Sequence, residues 1–90
     1  MTTIYPSERR NRTVYIRLPL DIRKSIKSKE VVISECDEYI KIREAVIMDN
    51  KTYTINKNGS ISYSTDSFNT ICGSYHTEID GDYLYLNKIN

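Results

Sequence analysis

The chain has 90 residues, 13 Lys and Arg against 12 Asp and Glu, a net charge of +1, two cysteines and one histidine. That size predicts one domain with a modest core, which a dimer interface is expected to supplement. No apolar run reaches the roughly eighteen residues that span a bilayer, and Met1-Thr2-Thr3-Ile4-Tyr5-Pro6 lacks a signal-peptide core, so the expectation is a soluble, cytoplasmic protein without membrane contact.

Charge is unevenly spread. Residues 1–29 hold eight Lys and Arg against two acids, a net of +6, and the remaining residues hold five against ten, a net of −5. Such polarity lets one face meet a polyanion while another repels it. Abundant Ile, Lys, Asn, Ser and Tyr, with one Ala and no Gln or Trp, also suit a viral or plasmid-borne chain acting inside a host cell.

In chain order, residues 1–12 read as a flexible basic arm carrying Arg9, Arg10 and Arg12, and residues 13–90 as a single small domain. Val14, Ile16 and Leu18 alternate as in a half-buried strand, leaving Thr13, Tyr15 and Arg17 on the opposite face. From Pro19 the period becomes helical: Leu20, Ile22 and Ile26 share a side, and Arg23, Lys24 and Lys27 are left for solvent or a partner. Val31-Val32-Ile33 predicts another strand, Ser34 to Glu38 a turn, and Tyr39 onward a long strand continuing through Ala45, Val46 and Ile47.

Asn58-Gly59, between Thr52–Ile55 and Ser60–Ser64, is a strong hairpin signal. Ser67 to Cys72 predicts a helical turn stopped by Gly73, and Tyr75–Glu78 with Tyr83–Leu86 a second hairpin around Asp80-Gly81-Asp82. Val14 through Ile42 faintly echoes Ile61 through Leu86, an internal repeat carried by element order rather than residue identity. The fold class expected is α+β and mostly β: a small antiparallel sheet or barrel-like meander with one short helix near residues 19–28.

The run Leu18-Pro19-Leu20-Asp21-Ile22-Arg23-Lys24-Ser25-Ile26 resembles the AbrB-type swapped-hairpin DNA-binding domains, over about residues 9–44. The resemblance implies a homodimer of interleaved hairpins with arginines on one surface meeting DNA, and Arg23 and Lys24 match the family's basic step. The family's Gly-Asp turn after the helix is missing, and Tyr15 stands where the preceding strand usually has a basic residue. Thr13 to Lys27 also resembles the ribbon and first helix of ribbon-helix-helix repressors, which implies Thr13, Tyr15 and Arg17 as groove readers and a second helix starting near Ser34-Glu35-Cys36-Asp37-Glu38-Tyr39.

Chemistry of other kinds finds little footing. His76 is the only imidazole and sits in an alternating Tyr-His-Thr-Glu run, where a solvent-facing strand position explains it. Asp80 and Asp82 flank Gly81 without the later oxygen ligands of a calcium loop, and glycines 59, 73 and 81 form no phosphate cradle. The cysteines, Cys36 and Cys72, lack CxxC spacing and read as free thiols, with a disulfide between them the alternative. No catalytic residue, metal or cofactor is expected.

The expectation is therefore a non-enzymatic, dimeric transcriptional regulator binding double-stranded DNA through Arg9, Arg10, Arg12, Tyr15, Arg17, Arg23, Lys24 and Lys27. The alternative is an anti-defence protein that captures a host protein complex through Asp66, Glu78, Asp80 and Asp82. A third reading makes the basic run a solvated arm.

Overall fold

The computed structural model describes residues 1–89. Its elements are β1 (Thr2–Pro6), β2 (Thr13–Arg17), α1 (Leu20–Ser25), β3 (Glu30–Glu35), β4 (Tyr39–Glu44), β5 (Tyr53–Thr54), β6 (Ser60–Ser64), β7 (Gly73–Asp80) and β8 (Tyr83–Lys88). Period-two patterning decides the faces: Val14 and Ile16, Ile40 and Ile42, Ile61 and Tyr63, and Leu84 and Leu86 are buried, and the residues between them point outward. These side chains, with Ile4, Leu18, Val31 and Ile55, fill the interior, where each aliphatic contributes about 1.5–3 kcal/mol by leaving water.

All strand pairs are antiparallel, in the order β5-β3-β4-β8-β7-β1-β2-β6. The two edges meet at an Ile55–Ile61 bridge, which makes the sheet nearly a closed barrel. Around it the hairpins β1–β2, β5–β6, β3–β4 and β7–β8 follow one another, so hairpins of the first half (β1 to β4) alternate with those of the second (β5 to β8).

The register carries a pseudo-two-fold. Tyr15 faces Ser62, with Thr13–Ser64 and Arg17–Ser60 symmetric about it, and Lys41 faces Tyr85, with Tyr39–Asn87 and Arg43–Tyr83 symmetric about that pair. Thr13, Tyr15 and Arg17 thus correspond to Ser60, Ser62 and Ser64, and Tyr39 to Tyr83. Two backbone bonds repeat the relation: Leu18 N–H donates to the Gly59 carbonyl at 2.9 Å and Thr65 N–H to the Arg12 carbonyl at 3.0 Å. The faint echo between the two halves of the sequence is therefore a repeat of topology.

Several expectations are corrected. Residues 2–6, assigned to the arm, form β1, hydrogen-bonded between β2 and β7. The long strand stops at Glu44, and Val46-Ile47-Met48 forms an exposed turn. The second helix of the ribbon-helix-helix likeness does not form, since residues 30–35 and 39–44 are strands. Leu20 is largely exposed, while Ile22 and Ile26 pack on the core. Cys36 and Cys72, in contrast, are free thiols as the sequence reading has them. Among the described residues no helix is long and apolar enough to cross a membrane.

With only two residues, β5 leaves β3 and β6 unpaired toward their C-terminal ends. Side chains bridge that seam. Glu35, at the end of β3, accepts hydrogen bonds from Tyr63 Oη at 2.5 Å, Thr65 Oγ1 at 2.6 Å and Ser67 Oγ. Partial burial opposes ionisation of Glu35, but the three hydroxyl bonds outweigh it and hold the carboxyl below its usual range. Burial and the neighbouring carboxylate push the Tyr63 phenol up. The Tyr63 ring also packs edge-on to Tyr53, 4.9 Å between centroids.

Candidate nucleic-acid interface

Outward positions of β1, β2 and β6 make one continuous face: Thr3 and Tyr5, then Tyr15 and Arg17, then Ser60, Ser62 and Ser64. None of them is acidic. Thr13, expected on this face as a groove reader, is instead buried, with its hydroxyl bonded to the Asn11 carbonyl and Ser64 Oγ. Tyr5 and Tyr15 are directly opposite in the ladder, and their rings pack at 5.6 Å between centroids with a 40° tilt. Beside them the serines are short, so the aromatic pair stands above the neighbouring surface.

The cations frame this pair. Arg9, Arg10 and Arg12 lie exposed in the β1–β2 loop at one end, Arg17 is exposed at the other end of β2, and Lys24 is exposed in the last turn of α1 just beyond. Ser7 Oγ accepts the backbone N–H groups of Arg9 at 3.3 Å and Arg10 at 3.1 Å, which shapes the loop locally. Arg12 takes a left-handed φ of 56° and its guanidinium touches Asp66 at 3.2 Å. Both partners are highly exposed, and pairs of that kind are worth about 0–1 kcal/mol, so Arg12 is readily released to a better anion.

Two expected residues do not join the face. Arg23 is spent on the fold: its Nε donates to the Asn56 carbonyl and its Nη1 to the Ile26 carbonyl, both at 2.9 Å, clamping α1 to the β5–β6 turn. Lys27 lines a cavity at the rim between β3, β4 and the β7–β8 turn, away from the loop arginines. Conversely, Tyr5 was missed. Its strand carries a single buried aliphatic, Ile4, too little alternation to show in the sequence.

The acidic set divides as well. Glu78, Asp80 and Asp82 share the β7–β8 hairpin, all exposed, with His76 Nε2 3.9 Å from Glu78. Asp66 lies apart beside Arg12.

Comparison with known proteins finds no matching family model, no matching curated protein and no matching solved structure.

Proposed function

We propose that this chain is a non-enzymatic, DNA-binding regulator whose contact surface is the β1–β2–β6 face. The observation that carries this reading is the set of strand positions without a carboxylate in which Tyr5 and Tyr15 stand between the loop arginines and Arg17, with Glu8 and Asp66 the acids at the loop end. Along β2 the five residues run about 13 Å at roughly 3.3 Å per step, close to the roughly 12 Å width of a major groove. The β1–β2 loop and Lys24 then rest on the phosphates of either strand, with Tyr15 and Arg17 over the base edges.

The alternation of hairpins supports the same reading. Interleaving is what the resemblance to swapped-hairpin DNA-binding domains implies for two chains, and here the two halves of one chain supply both units. The halves are unequal. At the positions equivalent to Arg12, Tyr15 and Arg17 the second half has Gly59, Ser62 and Ser64. Only the first half is equipped to hold DNA, so the bound site is a single half-site without inverted symmetry, one chain per site.

Fluorescence anisotropy with labelled duplex and single-stranded DNA across a salt series tests this. With Arg9, Arg10, Arg12 and Lys24 on phosphates, log affinity falls with a slope of about −4 per log unit of salt. Arg17→Glu and Tyr15→Ala weaken duplex binding, and Lys27→Glu does not. Absence of binding to duplex, or a flat salt response, overturns the reading; a preference for single strands redirects it to stacking on the tyrosine pair.

A further inference from the structure

At the barrel rim formed by β3, β4, β7 and β8 the structure holds a cavity of about 610 Å³, with Ile26, Val31, Ile42 and Leu84 on its floor. The next turn of chain stands beside it with its apolar side chains in water: Val46 is 62% exposed, Ile47 104% and Met48 88%. Nothing about this turn is loose. Arg43 forks onto Asp49 at 2.9 and 2.8 Å, Asp49 Oδ2 accepts the Val46 N–H at 2.7 Å, and the Asp49 N–H donates to the Val46 carbonyl at 3.0 Å. A tight clamp thus holds an apolar tip away from its own core. Ile79 faces the same cavity from the opposite rim, 54% exposed because β7 runs past the start of β1 at that point.

The pseudo-two-fold supplies an internal control. The equivalent cavity at the other end of the barrel is about 310 Å³, with Tyr75 in place of Val31 and Glu35 in place of Ile79. An aromatic ring and a carboxylate thus stand in the smaller cavity where the wider, open end has two aliphatic side chains, Val31 and Ile79.

We propose that the open end is a self-association surface, on which a second copy of this chain docks about a two-fold axis, each copy laying its Val46-Ile47-Met48 turn into the other's cavity. Charge placement selects this occupant. Lys27 stands on the β3–β4 side of the mouth with the apolar turn, near Glu44, whose carboxylate accepts the Lys27 backbone N–H at 2.7 Å; Asp82 stands on the β7–β8 side with Ile79. A two-fold axis through the mouth lays the first side of each copy on the second side of the other. Tip meets cavity twice, and Lys27 meets Asp82 twice. Because the contact is isologous it closes at two copies. It leaves the β1–β2–β6 face free and does not depend on DNA binding.

Sedimentation velocity on the full chain over a wide concentration range reads this out. The expected result is a reversible monomer–dimer equilibrium. Ile47→Asp shifts it to monomer with unchanged circular dichroism, and its thermal midpoint equals the wild-type value at concentrations where both are monomeric, since Ile47 lies outside the core. Lys27→Glu and Asp82→Lys each weaken dimerisation alone, and an equimolar mixture of the two restores it, because both cross-contacts then join opposite charges. Monomer at every concentration, growth past two copies, wild-type dimerisation by Ile47→Asp, or a mixture no better than its components overturns the proposal.

Discussion

Arg12 and Gly59 occupy one position in two halves of the same barrel. Both lie in the left-handed region, φ 56° and 87°, and the carbonyl of each accepts the N–H of the residue that leaves the neighbouring strand, Thr65 for Arg12 and Leu18 for Gly59. Glycine suits the site in one half; in the other an arginine is held there despite a cost of about 1–2 kcal/mol for a side chain in that conformation. A β-carbon on Gly59 would sit 2.6 Å from the Leu18 carbonyl oxygen. Gly59→Ala is therefore expected to lose about 1–3 kcal/mol in urea unfolding. Arg12→Gly changes stability by less than about 1 kcal/mol, as relieved strain offsets the freer unfolded chain, yet it weakens DNA binding.

Asp66 competes with phosphate for Arg12. The pair is solvent-exposed at 3.2 Å and adds little to stability. Asp66→Asn is expected to leave the melting temperature unchanged and to tighten duplex binding about two- to fivefold at low salt, an advantage that fades as salt screens both interactions. Equal affinities of the two proteins at low salt would show that Arg12 does not reach DNA.

Arg23 is a clamp between α1 and the β5–β6 turn. Its guanidinium satisfies two carbonyls, Asn56 and Ile26, with the fork geometry that lysine lacks. Arg23→Lys keeps the charge but is expected to lose about 1–2 kcal/mol of stability, read as a lower urea midpoint. Its salt slope for DNA stays at the wild-type value.

Two carboxylates set the acid limb of stability. Glu35 is held below its ordinary 4.5 by the seam hydroxyls, and Asp49 is brought from 3.8 to about 2 by Arg43 and the Val46 N–H. Each binds protons less readily folded than unfolded, so each stabilises the fold above its unfolded value and loses that contribution as pH falls through its folded one. Stability is expected to decline from pH 4.5 downward, with the Asp49 part vanishing between pH 3.8 and about 2. Glu35→Gln removes the first part of that decline and costs about 1 kcal/mol at neutral pH, a modest figure because the carboxylate is largely in water. Urea midpoints across a pH series check both.

Local signals were legible where chemistry is local. Asn58-Gly59 announced its hairpin because a tight turn needs a left-handed residue, and Val14-Ile16-Leu18 announced its strand because one face had to be dry. The helix after Pro19 and the polarity of charge were equally plain. Residues 2–6 were not: β1 is a strand because β2 and β7 offer partners on both sides, and its own sequence offers one buried aliphatic.

The sequence by itself determined that the chain is mostly β with one short helix, and that its cations gather before residue 30. Only the tertiary structure decided which of those cations share a face. Strand order brings Tyr5 beside Tyr15, binds Arg23 to backbone carbonyls and carries Lys27 to another rim, through pairings between residues far apart in the chain. The interleaving of the two halves has the same origin. Periodicity fixes which side of a strand is buried, whereas the choice of neighbour depends on how the whole barrel closes.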